Sequence, residues 1–283
     1  MCLINSIVPG LLAGNSLLLK PSPQTPSPAI RLAAAFESAG LPKSVLQVLH
    51  LESADTLRLA ADGRVAFVAF TGSVAGGKGI DRAAAEGDGF KGVGLELGGK
   101  DPAYVRGDVD VAWAADNLVD GAMFNSGQRC VPPPSPPLFL SFELYRSRLT
   151  FARHMRSCCG IERIYVDALI YDEFIAKFAE LTGNYVVGDP REEATTLGPV
   201  ISVQSAKRIR AQVADAVKAG ARTLIDESKF AAAKEGSAYV APQVLVDVNH
   251  SMDIMSEESF GPVVGIMKAR ARTTASDHCP PAA

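Results

Sequence analysis

Short apolar runs alternate with helical patterns through the first hundred residues, and this alternation most constrains the fold. Ser16–Lys20, Val45–Leu49 and Val65–Phe70 read as strands. Leu3–Ala13, Pro26–Ala39, Ala54–Ala61 and Ser73–Glu86 read as helices, the second stopped by Gly40 and Pro42. Strand, helix and strand in sequence call for crossover connections, hence a mostly parallel sheet covered by helices. Ser16–Lys20 is expected to be a buried strand of it. A second α/β block follows from residue 98 to 268. Its helices are expected over Val109–Met123, Ala168–Thr182 and Val203–Ala219, and its strands over Tyr239–Val246 and Val263–Met267. Two segments do not fit. Residues 129–156 open with Pro132-Pro133-Pro134-Ser135-Pro136-Pro137, which excludes helix and central strand. Residues 269–283 show no period and read as an unstructured tail.

Composition removes several classes of function. The chain has 283 residues, 47% of them hydrophobic, enough for a sizeable core. A net charge of −3 gives no footprint for nucleic acid or for an anionic membrane surface. Five irregularly spaced cysteines suit a reducing compartment better than a disulfide framework, and none pair as a zinc site would require. Leu3–Leu19 is apolar, but Asn5, Ser6, Pro9, Gly14 and Asn15 interrupt it and no basic segment precedes it. A cytoplasmic protein without nucleic-acid, membrane or metal partners is the expectation.

Two stretches could carry chemistry on their residues alone. Gly94-Leu95-Glu96-Leu97-Gly98-Gly99-Lys100 ends a strand pattern (Phe90–Leu97) at a pair of glycines that permit a sharp turn. Glu96 there could be a part-buried general base, or equally an ordinary solvated glutamate. Val65–Phe70 runs into Thr71-Gly72-Ser73 and a helix, the arrangement in which helix N-terminal amides bind phosphate. A plain helix N-cap fits the same residues. Gly87, Gly89 and Gly92 also match G-x-G-x-x-G, but they follow a helix and precede a strand, the wrong context for a nucleotide loop.

Leu95–Lys100 resembles the glutamate signature of the aldehyde dehydrogenase superfamily, and other segments match in the family's order. These are Gly14–Ser22, Phe70–Ser73, Phe124-Asn125-Ser126-Gly127-Gln128 and Glu257-Glu258-Ser259-Phe260-Gly261-Pro262. The resemblance covers residues 3–128 and 157–268. It implies an α/β fold with a partial Rossmann-type nucleotide-binding domain over 1–97 and a catalytic domain over 98–268, interrupted at 129–156. It implies oxidation of an aldehyde to a carboxylic acid with NAD, NADP not being excluded. Lys20 would meet the adenosine ribose, Gly72 and Ser73 the pyrophosphate, Glu258 the nicotinamide ribose, and Phe260 the nicotinamide. The family's frequent glutamate three residues after that lysine is Pro23 here. Glu96 would be the general base that activates water.

The family's nucleophile pattern, Gly-Gln-x-Cys with an Arg five residues on, is divided in this chain. Cys130 follows Gly127-Gln128-Arg129, whereas Cys158 precedes Arg163 by five residues. The resemblance favours Cys158, with Cys130 as the alternate. Removing 129–156 joins Gln128 to Ser157 and restores Gly-Gln-Ser-Cys. Codons for Arg129-Cys130-Val131 and Arg156-Ser157 also allow splice signals, so translated intron is the expectation for that segment. Against the family, the chain reads as truncated at both ends, without the oxyanion-donating Asn and without the arm through which members oligomerise. An impaired dehydrogenase is implied, with a small-molecule aldehyde as partner and the family's homo-oligomer in doubt. The alternative is a catalytically dead remnant that at most binds nucleotide or a partner weakly.

Overall fold

The computed structural model describes residues 2–128 and 160–269. The chain divides into two compact units between Gly98 and Gly99. The first runs α1 (Cys2–Leu12), β1 (Leu17–Leu19), α2 (Ser27–Ser38), β2 (Leu46–Val48), α3 (Ser53–Ala61), β3 (Phe67–Thr71), α4 (Val74–Glu86) and β4 (Gly92–Glu96). Its strands form two separate parallel pairs, β1 with β2 and β3 with β4, rather than the single sheet expected. β1 is half-exposed, not buried: it is three residues long and has one hydrogen-bonded neighbour.

Helix α3 follows one pair and α4 belongs to the other, and the two helices pack closely. A Cβ at Gly87 would run into the Ala61 carbonyl oxygen, so only glycine lets the chain after α4 pass the end of α3. Lys91 reaches back to the same place. Its ammonium donates to Ala60 O at 3.0 Å, a carbonyl in the last turn of α3, and to Asp62 O at 2.8 Å, which also accepts from Val65 N–H.

The second unit runs β5 (Asp101–Val105), α5 (Val111–Met123), a 3₁₀ turn (Phe124–Gly127), β6 (Ile161–Asp167), α6 (Tyr171–Gly183), α7 (Val203–Lys218), β7 (Arg222–Thr223), β8 (Gln243–Val246), α8 (Asp253–Ser256) and β9 (Val263–Ala269). They build a five-stranded sheet in the order β5-β6-β9-β8-β7, parallel except for β7 against β8. Side-chain alternation sends Ile164, Val166, Val244 and Val246 into a core shared with α5 and α6. It sends Tyr165 and Leu245 into a second core with α7 and α8. Both faces are therefore covered.

Strands β5 and β6 were not anticipated. β8 starts only at Gln243, because Pro242 before it has no N–H to give a ladder. β9 continues to Ala269, which is buried, one residue past the Lys268 at which regular structure was expected to stop. All of residues 129–156, both candidate nucleophiles and the tail from 270 lie outside the described residues.

Candidate functional site

In the first unit, the β3–β4 register sets Thr71 opposite Glu96, and Gly72 N–H donates to Glu96 O at 3.0 Å. The putting together of these two motifs is a direct product of strand pairing. Glu96 is exposed at the end of β4, because β4 is an edge strand; of its two readings in the sequence, the solvated glutamate is the one that matches its surroundings. A Cβ at Gly72 would lie 2.8 Å from the Phe70 ring, so the glycine also serves local packing. Ser73 is the N-cap of α4: its Oγ accepts from Gly76 N–H at 3.2 Å, and its carbonyl accepts from Gly77 N–H at 2.9 Å. Among the described residues, no bond engages the Val74 and Ala75 amides, which open the helix. Lys20 directly follows β1 and is half-buried, on the other strand pair from Gly72 and Ser73.

In the second unit, Glu258 and Phe260 sit on a turn before β9 that three charged side chains hold. Glu162 of β6 is buried and accepts from Ser259 N–H at 2.7 Å through Oε2 and from Phe260 N–H at 2.9 Å through Oε1. Lys100, also buried, donates to Glu162 Oε2 at 2.7 Å and to Ser259 Oγ at 3.0 Å. Burial pushes the Lys100 ammonium below its ordinary value, against the pull of the Glu162 charge. Arg208 of α7 donates to Glu258 O at 3.0 Å and Ser259 O at 3.1 Å. Phe260 has φ +48°, a left-handed conformation that a bulky residue adopts only when its surroundings impose it. The Glu258 carboxyl is raised above its ordinary value, first by partial burial and then by the Glu162 charge. A Gly99 N–H bond, Arg208 and Lys100 oppose the rise.

The Phe124–Gln128 motif meets this turn. Asn125, Ser126 and Gly127 are all left-handed, at φ +52°, +58° and +70°. Their strain is offset by side-chain bonds: Asn125 Nδ2 to Gln128 O at 2.9 Å, and Ser126 Oγ to Gly198 O at 2.6 Å. Gln128 Oε1 accepts from Ile201 N–H at 2.6 Å, tying the motif to residues 198–201. A Cβ at Gly127 would run into the Gly261 carbonyl oxygen, so two segments singled out separately in the sequence are in backbone contact.

Sequence reasoning missed Glu162, Arg208, Ser259 and the role of Lys100, although all but Arg208 lie in or beside the motifs that the sequence showed. The usable signal was a pair of opposite charges beside apolar residues: Glu162-Arg163 between Ile161 and Ile164, and Lys100-Asp101 after Leu97-Gly98-Gly99. Cys158 and Cys130 lie outside the described residues.

Comparisons with known proteins agree on one family. The sequence model of the aldehyde dehydrogenase family matches residues 1–134 and 150–278. Lactaldehyde dehydrogenase of Escherichia coli (strain K12) is 35% identical over 265 residues, 92% of this chain and 48% of that protein. The 3-sulfolactaldehyde dehydrogenase of Priestia megaterium is 34% identical over 91% of this chain and 46% of its own length. Among solved structures, a Mycobacterium tuberculosis aldehyde dehydrogenase complexed with NAD+ superposes with a TM-score of 0.77 at 31% identity, covering 97% of this chain and 50% of that one. The chain thus spans about half the length of the curated relatives it matches. It belongs to the aldehyde dehydrogenase family.

Proposed function

We propose that this chain carries nucleotide-binding and catalytic elements of an NAD(P)-dependent aldehyde dehydrogenase that oxidises a small aldehyde to a carboxylic acid. The observation that carries this reading is the family match across both units. In this reading residues 1–97 form the nucleotide-binding part and 98–268 the catalytic part. NAD is the preferred cofactor. The cytoplasm suits a chain with a reactive thiol, because thiols stay reduced there.

The α4 N-terminus fits a pyrophosphate: the Val74 and Ala75 amides have no bond among the described residues, and the helix dipole favours an anion there. Gly72 spends its N–H on Glu96, so its part is close approach rather than donation. Ser73 adds a hydroxyl, Lys20 meets the adenosine ribose, Glu258 the nicotinamide ribose, and Phe260 packs beside the nicotinamide ring. When bound, the nicotinamide accepts hydride. The thiolate of Cys158, with Cys130 as the alternate, adds to the aldehyde carbon. Loss of hydride from that carbon leaves a thioester on the sulfur. Glu96 takes a proton from the water that hydrolyses the thioester, releasing acid and thiol.

A second reading, a remnant that binds nucleotide without turnover, is favoured by the half-exposed strand pairs of the first unit. One experiment separates the two: NADH formation by the purified chain with NAD and lactaldehyde. Turnover that Cys158→Ala abolishes and Cys130→Ala spares supports the dehydrogenase. Nucleotide binding without turnover supports the remnant.

A further inference from the structure

Two successive peptide groups, 258–259 and 259–260, are gripped at both ends. Their N–H groups point to the two oxygens of one carboxylate, Glu162, and their carbonyls to the two terminal nitrogens of one guanidinium, Arg208. A carboxylate and a guanidinium are both planar forks. Each therefore fixes the spacing and the relative rotation of the two peptide planes, which a single-point contact would leave free. Lys100 completes the device by pairing with the buried Glu162 and by holding Ser259 through its hydroxyl. A buried carboxylate without such a cation would be costly. The left-handed Phe260 lies at the end of the clamped stretch and Glu258 at its beginning.

We infer that Glu162 and Arg208, with Lys100 behind Glu162, are positioning residues that fix the 258–260 turn and so aim Glu258 and Phe260 at the nucleotide. This rests on the reading in which those two residues face the cofactor. It makes no demand on the nucleophile or on turnover. Arg208 is the informative position, because it is exposed and its loss leaves the buried core intact.

The test uses the full chain and compares wild type, Arg208→Ala and Glu162→Gln. Residue-resolved hydrogen exchange reads the clamp. Each variant removes bonds made to a charged group, so the Ser259 and Phe260 amides should exchange about tenfold faster or more. Calorimetric titration with NAD reads the aim, and Arg208→Ala should bind about tenfold more weakly. Guanidinium ion added below denaturing concentration should restore that affinity, a recovery that a merely structural role would not produce. Unchanged exchange in both variants would overturn the clamp. Faster exchange with unchanged affinity would overturn the positioning role. If wild type binds no NAD, the proposed function fails, and the exchange rates still decide the clamp. If Glu162→Gln does not fold, Arg208→Ala alone gives all of these outcomes.

Discussion

The strands of the two units start from comparable apolar runs and end in different surroundings. In the second unit every residue of β8 is buried, as is β6 from Glu162 to Asp167. In the first unit β3 alternates between exposed and half-buried, and no residue of β1 is buried. Apolar content does not separate them: Phe67-Val68-Ala69-Phe70 is as hydrophobic as Gln243-Val244-Leu245-Val246. What separates them is the number of neighbours. β6, β9 and β8 each have a strand on both sides and helices over both faces, whereas every strand of the first unit is an edge. Both large apolar cores among the described residues are in the second unit.

The comparison can be broken first at its most buried polar point. Lys100→Met would leave the Glu162 carboxylate buried without its cation, and should cost about 3–5 kcal/mol in denaturant unfolding. A loss of less than about 1 kcal/mol would mean that solvent already reaches the pair. A matched pair of truncations comes next. Phe178→Ala empties a fully buried site under the five-stranded sheet and should cost about 3–5 kcal/mol. Phe67→Ala removes a ring that is 62% exposed and should cost about 0.5 kcal/mol or less. Equal losses would erase the difference between the units.

Ser73→Ala sharpens the contrast inside the first unit. It removes the N-cap of α4 and should cost about 1 kcal/mol, readable as a lower midpoint in thermal unfolding. No change would mean that the hydroxyl is occupied by something other than the cap. The smallest expected effect is one of pH. The folded Glu258 carboxyl sits above its ordinary value of 4.5, so the native chain holds its proton longer than the unfolded one. Its contribution to stability is therefore full below that value and declines as pH rises through the window above it. Glu258→Gln should flatten that decline in unfolding curves taken at successive pH values. An identical slope would assign the decline to other groups.

Much of this architecture was legible in the chain, and the misses share a cause. The helices stood out because their faces are amphipathic, as over Val203–Lys218, where Ala206, Ile209, Val213 and Ala216 are buried. β6 was missed because Glu162 and Arg163 look like surface residues in one dimension, and only their partners make them core. β5 was missed because it opens with Asp101-Pro102, a pairing that reads as a turn. Glu96 was placed correctly at a strand end, but its exposure depends on whether another strand lies beside β4, which no local pattern encodes. Ser73 kept both of its readings: the structure shows the cap, and the same geometry leaves two amides ahead of it. The clamp around Ser259 joins residues 50 to 159 positions apart, beyond the reach of any spacing rule.

The backbone contact between Gly127 and Gly261 sets a limit on how this protein could be recombined. Neither segment can be exchanged with a relative's as an independent module, because the fit is between main chains and not between replaceable side chains. A chimera that imports one loop with a slightly different path would displace the other, and with it Phe260. The stretch leading to the cysteines and the stretch carrying Glu258 would have to travel together, although well over a hundred residues of sequence separate them.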